Sequence, residues 1–321
     1  MAVGGVALVL GGGGLVGHAW HVGALAGLAD ATGWDPCRAA LIVGTSAGAV
    51  VGAELCAGLH PTALMDPGVG AAPTTVPRPD RGSRSLRPAA PAMALRALWA
   101  RAPAGLPTAG LLPRGRHDPA IISDAIARLH PPASLWPSTL RVATVRLHDG
   151  QRVVFGRGAS GGERVDLPNA VAASCAMAGY FRPVPIAGED HIDGGSRSAS
   201  NADLVAGGTF DLVVVSSPMS LDVSASQRPR RVVPALARLH RLIHHTRLHA
   251  ELAALRRHGT VVVALEPGPD DVRVMGSIAS SMDFGRRAAV ARAAREGVAE
   301  RMRSAPLARV RALLEAAAGS G

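Results

Sequence analysis

Two glycine-framed segments near the start of the chain carry residues of the kind that catalysis requires. In the segment Gly44-Thr45-Ser46-Ala47-Gly48, Ser46 lies between an apolar run at 41–43 and an apolar helical pattern at 47–58. This is the G-x-S-x-G pattern in a strand–turn–helix context, where small flanking residues let the two backbones pass closely. A helix that begins there stabilises negative charge near the serine oxygen. The pattern favours Ser46 as a nucleophile over a helix-capping serine.

A glycine loop precedes this segment, with the sequence Gly12-Gly13-Gly14-Leu15-Val16-Gly17 after the apolar run 6–10. It matches G-x-G-x-x-G, in which backbone N–H groups approach a pyrophosphate. That fingerprint also needs an acidic residue about twenty residues further on, at the end of the second strand, to bind the ribose. The nearest acid, Asp35, precedes that strand. We therefore interpret the loop as a binding site for an anion, either an oxyanion or a phosphate. A nucleotide-binding oxidoreductase that uses this loop stays as an alternative function.

A serine nucleophile needs a base. The late histidines all fall in one predicted helix at 233–258, a poor position for a base that normally lies on a loop: His240, His244, His245, His249 and His258. Asp193, in Ile192-Asp193-Gly194-Gly195, is the better candidate, because the glycines allow a tight turn that presents the carboxylate at the end of a short strand. An ordinary Asp-Gly surface turn is the alternative interpretation of this motif.

The three motifs, in this order, resemble the patatin-like phospholipase family of lipid acyl hydrolases, which use a Ser–Asp dyad. The resemblance extends through segments 169–176, 181–184 and 191–200. It implies a three-layer α/β/α patatin-like fold in which Ser46 is the nucleophile and Asp193 its base. The same resemblance assigns the oxyanion hole to the backbone amides of Gly12, Gly13 and Gly14. It also assigns supporting roles to Gly17, Gly44, Gly48, Gly194 and Gly195. It requires no histidine, no metal and no organic cofactor.

The glycine loop departs from the family pattern at Val16, where the family has Arg or Lys. One extra residue separates Gly17 from the segment 21–23, and Ala178 stands where a proline is expected. Loss of the positive charge leaves oxyanion stabilisation to amides alone. A catalytically weak patatin-like binding protein is therefore a further alternative. We expect His18 and His21, near the loop, to be packing or hydrogen-bonding groups.

The elements that must position these residues alternate between strand and helix over the first 58 residues, which predicts a mainly parallel sheet with helices on both faces. A Pro- and Arg-rich insertion at 60–119 follows, with one short helical candidate at 93–101. Leu98 and Trp99 give that helix a hydrophobic edge, so we expect a lid or mobile insertion within a single domain, 1–321. Further strands are predicted at 140–147, 152–156, 212–215 and 261–265, and further helices at 119–129, 168–178, 233–258 and 284–317.

The composition combines 34 basic residues, all arginine, with 24 acidic ones, giving a net charge of +10. The arginines are scattered and aromatic residues make up only 3% of the chain, so no nucleic-acid-binding module is indicated. The charge suits peripheral contact with an anionic membrane, and the expected partner is a lipid or lipid-like ester substrate. Three cysteines fit a reducing compartment, and the predicted localisation is cytoplasmic.

Two histidine pairs in the predicted helix 233–258 have the i, i+4 spacing that can bind zinc on one helix face. They are His240 with His244, and His245 with His249. No acid completes an H-E-x-x-H arrangement, and arginines crowd the same helix. The sequence therefore assigns no metal ligands.

Overall fold

The computed structural model describes residues 5–66, 68–72, 87–100, 102–103, 105–131, 134–162, 165–223, 235–277 and 280–319. Within them the strands are β1 (Val6–Leu10), β2 (Leu41–Gly44), β3 (Leu140–Arg146), β4 (Arg152–Phe155), β5 (Val184–Ile186), β6 (Glu189–Asp193), β7 (Leu212–Ser216) and β8 (Val261–Leu265). The α-helices are α1 (Gly14–Thr32), α2 (Ala47–Cys56), α3 (Pro61–Leu64), α4 (Pro91–Trp99), α5 (Gly105–Leu111), α6 (Ala120–Ala127), α7 (Leu167–Ser174), α8 (Ala235–Arg257), α9 (Pro269–Met275), α10 (Arg287–Met302) and α11 (Ala308–Gly319).

The strands form one sheet in which backbone pairing links them in the sequence β5-β6-β3-β2-β1-β7-β8, and β4 also pairs with β3. Strands β3, β2, β1, β7 and β8 pair in parallel, while β4, β5 and β6 run antiparallel to their neighbours. The predicted mainly parallel sheet is confirmed. The loops that follow β1, β2, β7 and β8 consequently lie together at the carboxyl ends of the parallel strands, where α/β proteins bind their ligands.

Helices cover both faces of the sheet. Leu8 and Leu10 of β1 belong to a core cluster with α1, α2 and α10, whereas Ala7 and Val9 pack with Leu248 and other α8 residues on the opposite face. Because successive side chains of a strand point to opposite faces, this alternation requires a helical layer on each side. The three-layer α/β/α architecture expected from the sequence is thereby confirmed.

The insertion at 60–119 contains more regular structure than the sequence predicts. Helices α4 and α5 bury Met93, Ala97 and Leu106 against Val145 and Ile192 of the sheet, forming a third cluster. The sequence missed α5 because its glycines and proline are poor helix formers, so its packing on the sheet decides its conformation. Residues 67, 73–86, 101 and 104 of the predicted lid lie outside the described residues.

The C-terminal prediction of one helix over 284–317 is wrong. The structure has two helices, α10 and α11, separated by a 3₁₀ turn at Ala305–Leu307. Pro306 lies in that turn and cannot continue an α-helix, because it lacks an N–H and its ring clashes with the preceding turn. Among the described residues, no helix is both long and apolar enough to span a bilayer.

Strands β2 and β6 run head to head along the same edge of β3. Strand β4 pairs with both Val142 and Thr144 of β3, so it occupies one edge throughout. Strand β2 ends at Gly44 opposite Val142, and β6 ends at Asp193 opposite Thr144. Because each strand residue has one neighbour on each edge, β2 and β6 both lie on the edge opposite β4. Their ends face each other across Ala143.

Candidate active site

The turn between β2 and α2 holds Ser46 in a strained conformation. Its backbone angles are φ 53° and ψ −120°, a region that side-chain-bearing residues rarely adopt. A Cβ atom at Gly48 would lie 2.0 Å from the carbonyl oxygen of Leu10, and one at Gly44 would lie 2.5 Å from the Cα of Ala49. Both glycines are therefore required by close backbone approach. The Ser46 side chain makes no capping hydrogen bond, so the helix-capping interpretation is wrong.

Asp193 ends β6 directly beside this turn, and the structure brings it together with Ser46. Its carboxylate accepts a hydrogen bond from the Gly195 N–H at 2.7 Å. Both Asp193 and Ser46 are only 8% exposed. Burial raises the pKa of Asp193 to about 6, while the neighbouring Ser46 hydroxyl and the hydrogen bond from the Gly195 amide act in the opposite direction. A Cβ at Gly194 would lie 2.4 Å from the carbonyl oxygen of Ala143, so this turn packs tightly on β3.

Ser174, at the end of α7, fills the gap between the ends of β2 and β6. Its hydroxyl donates to the carbonyl of Ala143 at 2.7 Å and accepts from the backbone N–H of Ser46 at 2.9 Å. The sequence assigns it no role, although it is a fully buried polar residue that follows the apolar segment 170–173 of the helix. That polar residue at the end of an apolar run is the signal that could have singled it out.

The glycine loop lies against the nucleophile, since a Cβ at Gly12 would be 3.5 Å from the Cβ of Ser46. The Gly12 N–H, however, donates to the carbonyl of Ala199 at 2.8 Å. The amide of Gly12 thus already has an acceptor, and its expected place in the oxyanion hole stays a prediction. Within the described part of the chain, no acceptor takes the N–H of Gly13 or Gly14, as is usual for the first amides of a helix.

Gly17 and Val16 occupy the first turn of α1 behind the loop. A Cβ at Gly13 would lie 2.8 Å from the Cα of Gly17 and from the Cγ of Pro218. The contacts with these two residues therefore leave no room for a side chain at Gly13. Val16 is 3% exposed and belongs to the core cluster between the sheet and the helices. The position that is cationic in the family pattern is therefore an apolar core position here.

His21 and His18 are buried hydrogen-bonding groups of α1, as the sequence predicts. The ring of His21 contacts the Ser216 hydroxyl at 2.8 Å and the Gly11 carbonyl at 2.7 Å. Burial lowers the pKa of His21 to about 3, so the ring is neutral and fixes the start of the glycine loop. His18 pairs with the buried carboxylate of Glu54 at 2.8 Å.

A carboxylate on α8 supports the loop that follows Asp193. Glu251 accepts hydrogen bonds from the hydroxyls of Ser198 and Ser200 at 2.7 and 2.6 Å. The next residue, Asn201, donates from its side chain to the Thr45 hydroxyl at 3.0 Å. Helix α8 is thereby linked to the turn that carries Ser46.

Cys175 also lies beside Ser46 and Asp193. It is buried, and burial together with the nearby Asp193 carboxylate raises the pKa of its thiol well above the usual range. Because the thiolate is the reactive form, a raised pKa keeps this cysteine in its less reactive thiol form at neutral pH.

Two surface cavities, of about 490 and 600 Å³, lie elsewhere on the molecule. The first is lined by residues including Arg114, Asp118 and Arg182, and the second by residues including Met65 and Arg295. Neither is lined by Ser46 or Asp193.

The match to a family model agrees with the motifs. A model of the patatin-like phospholipase family matches residues 8–206, which include the Ser46 turn, Asp193 and the glycine loop. No curated protein gives a significant match. Among solved structures, the type III effector protein ExoU is similar over 92% of this chain at 16% identity, with a TM-score of 0.36. This chain spans about half of that protein's length, 53%. The family match covers well over half of the chain, and the chain therefore belongs to the patatin-like phospholipase family.

Proposed function

We propose that the protein hydrolyses acyl esters of lipids through a Ser46–Asp193 dyad. Membership of the patatin-like phospholipase family supports an activity on lipid esters in general. The observation that carries the finer assignment is the strained Ser46 turn beside a buried carboxylate whose pKa is about 6. A carboxylate with that pKa is mostly ionised at neutral pH and basic enough to take a proton in the transition state.

The proposed reaction begins when the Ser46 Oγ attacks the ester carbonyl carbon and passes its proton to Asp193. The carbonyl electrons move to oxygen, giving a tetrahedral oxyanion. Collapse of this intermediate expels the alcohol, which takes the proton from Asp193 and leaves an acyl ester on Ser46. Water then attacks that ester, gives a proton to Asp193, and the acid is released as the proton returns to Ser46.

The amides of Gly13 and Gly14 are the proposed donors to the oxyanion. Both stand at the N-terminus of α1, where the helix dipole also favours negative charge. Loss of one such donor typically costs about 2.7–4 kcal/mol of transition-state stabilisation. With the apolar Val16 in place of a cation, these amides are the main electrostatic support that the loop offers.

Helix α4 supplies the proposed contact with a lipid surface. Leu95, Leu98 and Trp99 are 58%, 57% and 83% exposed. The neighbouring α5 packs against the turn after Asp193, where a Cβ at Gly105 would lie 2.4 Å from the Ser196 carbonyl oxygen. An exposed apolar edge beside a buried site fits a lipid surface that carries the substrate. The net charge of +10 favours binding to an anionic lipid surface.

Labelling with a fluorophosphonate probe tests this function. We expect the wild-type chain to be labelled and the Ser46→Ala variant to remain unlabelled. Cys175→Ala is the matched control, because it alters a neighbouring side chain that has no proposed chemical role, and it should still be labelled. Equal labelling of wild type and Ser46→Ala would contradict the proposal. Absence of labelling together with tight nicotinamide-nucleotide binding would favour the oxidoreductase, and absence of both would favour a binding protein.

A further inference from the structure

Three side chains with metal-binding donors converge on the side of α8 that faces the end of β8. The Nδ1 atom of His245 lies 2.8 Å from one carboxylate oxygen of Glu266, and the Nε2 atom of His249 lies 2.8 Å from the other. One donor atom from each residue falls within 4.8 Å of the others. Among the described residues, this is the one group of three such side chains that meets this spacing.

Chain topology explains why the sequence did not reveal this cluster. His245 and His249 are one turn apart on α8, so they share a face of the helix. Glu266 directly follows β8, and the chain reverses between α8 and that strand. The acid missing from an H-E-x-x-H arrangement is thus supplied from the end of a neighbouring strand.

We propose that His245, His249 and Glu266 form a zinc site. Two imidazole nitrogens and one carboxylate oxygen are a donor set that Zn²⁺ favours, with a fourth position open to water. Bond lengths near 2.1 Å in a tetrahedral site place ligand atoms about 3.4 Å apart. A nitrogen and an oxygen now hydrogen-bonded at 2.8 Å would separate by about 0.6 Å to admit the ion. Because the two histidines contact different oxygens of Glu266, one imidazole would also shift toward the oxygen that binds the ion.

The surroundings leave the Glu266 carboxylate available to a cation. It is about nine-tenths buried, and its two oxygens contact the two histidine rings. Arg301 donates to the backbone carbonyl of Glu266 at 2.8 Å and lies 3.7 Å from the Asp222 carboxylate. Arg301 thus contacts the main chain of Glu266, whereas the two histidines contact the carboxylate of Glu266.

The site is separate from the proposed dyad. Strands β1 and β7 lie between β2 and β8, a lateral separation of about 14 Å at the usual strand spacing. A bound ion would join α8 to the end of β8, and α8 is the helix whose Glu251 supports the loop after Asp193. The role assigned to the ion is therefore stabilisation of α8, without participation in ester cleavage.

A second histidine pair on α8 provides an internal control. The Nε2 atoms of His240 and His244 lie 3.2 Å apart, and neither residue belongs to the three-residue cluster. If a histidine pair on this helix bound zinc without Glu266, the His240–His244 pair would bind zinc as well.

The experiment is a calorimetric titration of the chelator-treated full-length chain with Zn²⁺. We expect one equivalent to bind, with affinity reduced roughly a hundredfold or more in His249→Gln and Glu266→Gln. His240→Gln should bind as the wild type does. Zn²⁺ should raise the melting temperature of wild type and His240→Gln only, and Co²⁺ should give the visible absorption of a tetrahedral site in the same two proteins.

Absence of stoichiometric binding to the wild type would overturn the proposal. So would unchanged binding in both His249→Gln and Glu266→Gln, because the ion would then lie elsewhere. Circular dichroism of each variant checks folding, and His249, at 39% side-chain exposure, is the position where substitution perturbs the fold least. If Glu266→Gln fails to fold, His249→Gln alone decides the outcome.

Discussion

The hydroxyl of Ser174 accepts a hydrogen bond from the backbone N–H of Ser46 at 2.9 Å and donates one to the carbonyl of Ala143 at 2.7 Å. A continuous partner strand at this point would supply backbone hydrogen-bonding groups to β3. Because both β2 and β6 end there, the Ser174 hydroxyl takes their place. One hydroxyl therefore satisfies a buried donor and a buried acceptor and holds the turn that carries Ser46. We interpret Ser174 as a positioning residue.

Replacement of Ser174 by alanine should lower both stability and turnover. Each buried backbone group left unpaired costs about 1–3 kcal/mol, so chemical denaturation should show a clear loss of unfolding free energy. The displaced nucleophile should lower kcat about tenfold to a hundredfold, with little change in KM because Ser174 is fully buried. Ser123→Ala on α6 is the control, since its hydroxyl donates to the carbonyl of Ala120 in its own helix. An equal fall in kcat in both variants would contradict a positioning role.

The activity should depend on the ionisation of Asp193. The dyad requires the carboxylate as base, so kcat/KM should rise with pH and level off above about 6, the pKa of Asp193. His21 cannot produce this inflection, because its pKa is about 3. The measurement is a pH profile with a soluble short-chain ester. A midpoint near 4, the ordinary pKa of an aspartate, would contradict the assignment.

Asp193→Asn should abolish turnover yet stabilise the fold above the pKa of Asp193. The folded pKa, about 6, exceeds the ordinary aspartate pKa of 3.8, so the wild type loses stability as pH rises from about 4 through 6. At pH 7 the upper limit of this cost is about 3 kcal/mol, which the neutral amide does not incur.

Denaturation at pH 8 and at pH 4 checks this prediction. The gain in unfolding free energy of Asp193→Asn should appear at the higher pH and vanish at the lower one. Asp66→Asn, which changes an exposed aspartate, should show little gain at either pH. A variant less stable than wild type at pH 8 would be the opposite result.

The local parts of the site could be predicted from the sequence because their signals are contiguous. The strained Ser46 turn follows from small residues at fixed offsets between a strand and a helix, and the structure confirms both the conformation and the need for Gly44 and Gly48. The buried turn after Asp193 was identified through order and resemblance, because an Asp-Gly-Gly motif alone does not reveal burial.

The remaining parts depend on contacts between distant segments. Ser174 acts on Ser46 across 128 positions of the chain, and the engagement of the Gly12 amide depends on Ala199. Glu266 reaches the α8 histidines only through the return of the chain along β8. Such pairings are set by tertiary packing, and no local periodicity encodes them.

The exposed apolar edge of α4 should control activity on membranes more than activity on soluble esters. Burial of a leucine or an aromatic side chain in a lipid surface contributes about 1.5–3 kcal/mol. We therefore expect Leu98→Ser with Trp99→Ser to lower binding to anionic vesicles by at least about a hundredfold, with a matching loss of activity on vesicle lipids. Cleavage of a soluble short-chain ester should stay close to that of wild type. Vesicle flotation and the two activity assays measure these effects.

Leu135→Ser is the matched control for that surface. Leu135 is 86% exposed and precedes the start of β3, at the sheet edge opposite the Ser46 turn. Its loss removes the exposed apolar surface of one leucine without touching α4, so vesicle binding should remain. Equal losses in both variants would mean that apolar exposure in general, rather than the α4 edge, governs binding. An unchanged double variant would show that the lipid reaches Ser46 by another side of the molecule, because α4 would then contribute nothing to the membrane-bound state.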